Sequence, residues 1–215
     1  VGSEMCIRDR YNYFFFPDDD IQMDAAVINT LFEAMRRYRL QIAQPALRMS
    51  YYTWSHTLQD RYCKLRYINF VEMMVPCFSR EALNKVLFTF NENETGWGTE
   101  THWAELINAS QRDMAVIDEV SVVHTRPIQS GQAIHNRELA AYLRKYNLST
   151  KVLHYDCLPS ESVYCCDRNT FRELCKTLGH WIGEERISAF SAGEDGYFGY
   201  VHFLFLLAHI TQMQN

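Results

Sequence analysis

Short runs of β-branched and aromatic residues alternate along the chain with stretches of helical period, the pattern of an α/β protein. Residues 11–16 (YNYFFF) predict a strand that stops at Pro17 and runs into Asp18, Asp19 and Asp20. From residue 24 to 38, Val27, Leu31 and Met35 fall on one helical line with Ile28 and Phe32 beside it. Arg36, Arg37 and Arg39 close that helix where cations suit its dipole, a solvated helix end rather than a phosphate site. Residues 40–47 (LQIAQPAL) read as a short strand broken by Pro45, and residues 49–64 as a polar, Tyr-rich loop over a site. Residues 67–78 predict a strand with Val71, Met73 and Val75 on one face and Phe70, Glu72 and Met74 on the other. Glu72 is then a carboxylate inside an apolar strand. Ser79 is an N-cap for a helix carrying Leu83, Val86, Leu87 and Phe90.

Residues 91–98 (NENETGWG) are turn chemistry, after which Glu100 opens a helix with Trp103, Leu106 and Ile107 as its buried stripe. Residues 115–124 form β-branched runs on either side of Asp118 and Glu119, a strand ending on His124 ahead of Thr125, Arg126 and Pro127. Beyond Gly131 the pattern turns helical, at residues 136–146 and 167–182, with a Gly-rich loop at 191–199 before a terminal apolar helix. The expected organisation is a catalytic part over residues 11–130 and a mainly helical extension over 131–215. Residues 1–10 (VGSEMCIRDR) lack either periodicity and a secretory h-region, and read as translated adapter sequence.

Composition narrows this picture without changing it. With 47% hydrophobic and 22% charged residues among 215, the chain is neither disordered nor fibrous. A net charge of −5 argues against a nucleic-acid partner held through phosphates. The longest apolar run, residues 200–210, is too short to span a bilayer and carries His202 and His209. A soluble domain is expected, in the cytoplasm or the lumen of the secretory pathway. The cysteines, at positions 6, 63, 77, 157, 165, 166 and 175, include no CxxC pair and are expected to be buried free thiols, Cys165 and Cys166 among them.

Three adjacent aspartates at the end of a buried strand repel one another unless solvated or answered by a cation. They suit a hard divalent ion against a substrate diphosphate, or a solvated turn in which Asp20 or Asp24 caps the next helix. Glu100 lies in the first turn of a helix, where the dipole is expected to keep it ionised and able to take a proton from a hydroxyl; alternatively it is an ordinary first-turn acid. A neutral imidazole at His124 suits a metal ligand or a hydrogen-bonded structural residue, and Arg126 could neutralise phosphate. His102 reads as a surface or packing residue.

In this order the pieces resemble metal-dependent nucleotide-sugar glycosyltransferases of the GT-A fold: a strand ending in DxD, a helix opened by GWGxE, a strand ending in His. FPDDDI, IAQPAL, FVEMMVPCFSREAL, GWGTETHW and VIDEVSVVHTRP are similar to the family catalogued as domain of unknown function 707, over residues 13–127. The resemblance implies a GT-A-like α/β fold, a mixed sheet flanked by helices. It also implies truncation, because a nucleotide-binding βαβ half of roughly 80 to 100 residues would precede the DxD strand, leaving the fragment itself inactive.

By the same resemblance Asp18, Asp20 and His124 would hold Mn²⁺ or Mg²⁺, and Asp19 and Arg126 would meet the donor diphosphate. Glu100 would activate the acceptor, and Glu72 and Trp97 would lie beside it. The implied activity is transfer of a sugar from a nucleotide-sugar donor to a glycan or other hydroxyl acceptor. The alternatives are a non-catalytic GT-A-like module binding a glycan or protein, and a metal-dependent phosphoryl-transfer enzyme. No GxGxxG supports a dehydrogenase.

Overall fold

The computed structural model describes residues 10–48, 54–126 and 132–160. The helix expected at 167–182, the Gly-rich loop, the terminal helix, residues 1–9 and Cys165, Cys166 and Cys175 lie outside them. Strands β1 (Tyr13–Phe15) and β2 (Ile21–Gln22) lead into helix α1 (Ala25–Tyr38) and strand β3 (Ile42–Leu47). Strands β4 (Cys63–Ile68) and β5 (Cys77–Ser79) precede helix α2 (Arg80–Val86), which tightens into a 3-10 turn at Leu87–Asn91. Helix α3 (Glu100–Leu106), strand β6 (Met114–His124), helix α4 (Gln132–Tyr146) and strand β7 (His154–Pro159) complete the order. The sheet runs β1-β5-β3-β6-β4-β7, with β2 paired to the end of β6. It is mixed: β3 and β6 are parallel, whereas β5 with β1 and β3, β4 with β6 and β2 with β6 are antiparallel.

Helix α1 forms as its periodicity predicts. Asp24 accepts a hydrogen bond from the Val27 amide at 3.0 Å, and the helix ends at Arg39 in the left-handed region, φ 55°. Val27, Leu31, Ala34 and Met35 are buried, while Arg36, Arg37 and Arg39 stay exposed. Each fully buried large side chain here, such as Leu31, contributes about 1.5–3 kcal/mol. Since Asp24 caps α1, the aspartates before it are not consumed by capping.

Two strand expectations need correction. Pro45 does not break β3, whose six residues are all buried. Its ladder with β6 runs in register to Pro45 opposite Ile117 and then jumps to Ala46 opposite Ser121, so residues 118–120 loop out. On the other side β5 pairs only with Ile42 and Ala43, leaving Pro45 beyond that ladder. The strand predicted over 67–78 is two strands with a connection between them: β4 ends at Ile68 and β5 begins at Cys77. Side chains take over the backbone groups there. Asn69 bonds the Leu153 amide and the Lys151 carbonyl, and the Glu72 amide donates to Gln44 Oε1 at 2.6 Å. Glu72 is buried, but on a loop.

Ser79 caps α2 through the Ala82 amide, Leu83 and Val86 are buried, and Leu87 turns outward in the 3-10 segment. Trp103 of α3 is fully buried edge-on to Phe78 at 4.9 Å and donates to Thr89 Oγ1.

Residue 130 is not a break in packing. Helix α4 docks on α3 through Tyr142, β7 joins the sheet beside β4, and the described residues as far as 158 belong to one compact unit. The free-thiol expectation also fails for one pair: Cys63 and Cys157, 94 residues apart, form a disulfide linking β4 to β7. Cys77 is a buried free thiol. No helix among the described residues is long and apolar enough to cross a membrane.

Candidate functional site

A cavity of about 650 Å³ opens beside the carboxyl ends of the parallel strands β3 and β6. At its mouth the chain leaves β1, and the Asp18 amide is held by the Met74 carbonyl at 2.8 Å. It then returns as β2, antiparallel to the end of β6, which sets Ile21 opposite His124. The Thr125 amide donates to the Asp20 carbonyl at 2.9 Å. This pairing, across more than a hundred residues, brings His124 Nε2 to 3.2 Å from Asp20 Oδ2. Arg126 reaches Asp19 Oδ1 at 2.6 Å and Asp20 Oδ2 at 3.5 Å.

Charges decide the state of this mouth. Partial burial, and then the Asp20 and Asp19 carboxylates, raise the Asp18 pKa, with His124 opposing. The hydrogen bond from Arg126 holds exposed Asp19 below the ordinary range. Asp20 Oδ1 is buried without a hydrogen-bond partner. Among the described residues no three His, Cys, Asp or Glu side chains converge into a formed metal cage. The donors nonetheless fit a hard divalent cation: carboxylate oxygens, one of them unpartnered, and an adjacent imidazole.

The floor is different. Glu72 is 3% exposed and accepts a hydrogen bond from the Thr57 hydroxyl; Gln44, which binds its amide, is itself fully buried. Burial pushes Glu72 up to about 7, against the Thr57 hydrogen bond and with a further push from Glu100. Glu100 begins α3, its Oε2 accepting from the Gly98 amide at 3.0 Å. Burial pushes it also to about 7. The expectation that Glu100 is simply kept ionised is therefore corrected: burial outweighs the backbone amides of Glu100 and Gly98 that favour its charged form.

Two glycines shape the turn before Glu100. Gly96 and Gly98 have φ of 75° and 93°, and a Cβ would lie 2.7 Å from Met73 Cε at the first and 3.0 Å from Leu139 Cδ1 at the second. Trp97 between them lines the cavity and stacks on His135 at 4.7 Å. Glu138 of α4 accepts hydrogen bonds from the Thr95 amide and hydroxyl, fastening this turn to the helix.

The loop expected over a site supplies Trp54 and His56 to the cavity and Thr57 to Glu72; residues 49–53 of it lie outside the described residues. It is pinned from behind. Arg66 binds Asp118 at 2.8 and 2.9 Å and donates to the His56 and Leu58 carbonyls, and Asp118 accepts from the Asp60 amide. Burial raises Asp118 to about 6, with Arg66 opposing.

Asp18, Asp19, Asp20, Glu72, Trp97, Glu100, His124 and Arg126 thus all line one cavity. His102 does not line it; buried, it bonds the Tyr142 hydroxyl through Nδ1 at 3.0 Å. Sequence reasoning missed Gln44, Trp54, Thr57, Arg66 and Asp118. A glutamine in an otherwise apolar strand and an aspartate in a β-branched run were the available signals for two of them. Set against family models, curated proteins and solved structures, the chain matches none.

Proposed function

We propose that this cavity is the active site of a divalent-metal-dependent glycosyltransferase of the GT-A type. The observation that carries the reading is the convergence of eight residues, drawn from positions 18 to 126, on one cavity at the carboxyl ends of two parallel strands. The roles given to these residues follow the resemblance of the five sequence blocks to domain of unknown function 707.

Asp18, Asp20 and His124 are the residues that would hold Mn²⁺ or Mg²⁺, which when bound stabilises the negative charge developing on the leaving nucleoside diphosphate. Arg126, hydrogen-bonded to Asp19 at the mouth, would exchange that partner for a phosphate oxygen. Glu100, with a pKa of about 7, is a base poised at neutral pH to take the proton of an acceptor hydroxyl. Glu72 and Trp97 shape the acceptor end. The Cys63–Cys157 disulfide favours an oxidising compartment, the secretory lumen over the cytoplasm. One observation favours a second reading, a non-catalytic binding module: Arg126 already answers two of the three mouth carboxylates.

Joined to the nucleotide-binding half that the resemblance implies ahead of the DxD strand, the chain, incubated with Mn²⁺ and a panel of nucleotide sugars, should release nucleoside diphosphate at a rate that climbs with pH through about 7. Glu100→Gln should abolish that climb. Turnover with an unchanged pH profile in Glu100→Gln would remove Glu100 as the base, and no turnover with any donor would favour the binding module.

A further inference from the structure

Resting on that reading, we propose that the acceptor entering this cavity is a neutral saccharide, packed against Trp54 and Trp97, and that acidic glycans and phosphorylated acceptors are rejected. The inference comes from how charge is distributed along the cavity. Among the described residues its one arginine, Arg126, stands at the mouth with the aspartates. Beyond the mouth the described lining holds no Lys or Arg, and its ionisable groups are Glu72, Glu100 and His56. His56 is no substitute for a cation, because burial and then Arg66 favour its neutral form. A uronate, sulfate or phosphate drawn in beside two carboxyl groups would lose its water and gain no counter-charge.

The apolar part of the wall fits a sugar ring. Trp54 is 46% exposed at the rim, and Trp97 lines the cavity with one face packed on His135. Indole rings accept the C–H face of a pyranose and leave its hydroxyls to polar partners. Such partners lie close by: the Glu72 and Glu100 carboxyls and the side chains of Thr95, Thr101 and Thr150 also line the space. Two tryptophans on one cavity offer a short oligosaccharide two such platforms.

The test uses the full chain at pH 8, with tryptophan fluorescence and calorimetry, against three sets of probes. These are neutral gluco-, manno- and galacto-tetrasaccharides, tetragalacturonate, and the N-trimethylated glucosamine tetramer, which is cationic at any pH. At least one neutral tetrasaccharide should bind and tetragalacturonate should not. Trp54→Ala should weaken that binding roughly tenfold, with Trp54→Phe restoring most of it. Circular dichroism and Mn²⁺ binding, followed in parallel, show whether each variant is folded. Tetragalacturonate binding as tightly as the neutral set, or binding of the trimethylated, cationic tetramer alone, would overturn the proposal. So would a chain that binds Mn²⁺ with nucleoside diphosphate but no neutral tetrasaccharide, an outcome that leaves the metal reading standing. Loss of metal binding alone would count against that reading and not against the neutral acceptor.

Discussion

The mouth and the floor of the cavity both carry carboxyl groups, yet they hold them in different states for different reasons. At the mouth, Asp19 is exposed and drawn below the ordinary range by Arg126, and Asp20 leans on His124, while Asp18 shares the upward push of burial. On the floor, no cation among the described residues offsets the burial of Glu72 and Glu100, which lifts each to about 7. The same functional group is thereby paired with charge in one place and desolvated in the other. Local sequence makes the mouth, where three adjacent aspartates meet one strand end. Packing makes the floor, since Glu72 is enclosed by Gln44 from β3 and Thr57 from a separate loop.

The largest effect is expected behind the floor. Removing one partner of the Arg66–Asp118 pair leaves a buried charge unanswered and frees the loop carrying Trp54 and Thr57, so Arg66→Ala should cost about 3–5 kcal/mol in denaturant unfolding. Replacing both residues by leucine should cost much less. If the single and double variants lose equally, the pair is not what holds the loop.

Next comes the disulfide. Cys63→Ser with Cys157→Ser should lower stability by about 2–5 kcal/mol, because the unfolded chain loses a cross-link over 94 residues. Reductant should lower the Tm of the parent and leave the double variant unmoved. Thr150 and Val152, which line the cavity just before β7, would lose part of their support while the mouth keeps its geometry.

A smaller effect separates floor from mouth by pH. Glu72 releases its proton near 4.5 when unfolded and near 7 when folded. The unfolded chain therefore binds fewer protons between those values, and this residue's contribution to stability is full below about 4.5 and falls as pH rises to about 7. Glu72→Gln abolishes that loss, so the variant should gain on the order of 2 kcal/mol over the parent at pH 8 and nothing at pH 4. Equal gains at both pH values would show that Glu72 is not held protonated by burial.

How much of this was legible in the sequence follows the same division. Helix α1, the Ser79 cap, the start of α3 at Glu100 and the end of β6 at His124 are written in local period, capping and β-branched runs. The site residues at the mouth could be named because they cluster at strand ends. What was not legible depends on distant partners: β3 carries Pro45 through its middle because the β6 ladder shifts register, and residues 69–76 leave the sheet because side chains satisfy their backbone. The Cys63–Cys157 pairing was hidden for the same reason, since a 94-residue separation leaves no spacing to read. So was the state of Glu100, whose position in a first turn suggested ionisation before its burial was known.

The central claim is that the mouth binds a divalent cation and the floor does not. Mn²⁺ binding by the full chain in the presence of nucleoside diphosphate, read by electron paramagnetic resonance, tests it most directly. Asp18→Ala with Asp20→Ala should reduce affinity at least tenfold, while Glu100→Gln leaves it unchanged. Mn²⁺ bound equally by the parent and the double aspartate variant, or lost instead in Glu100→Gln, would contradict the assignment.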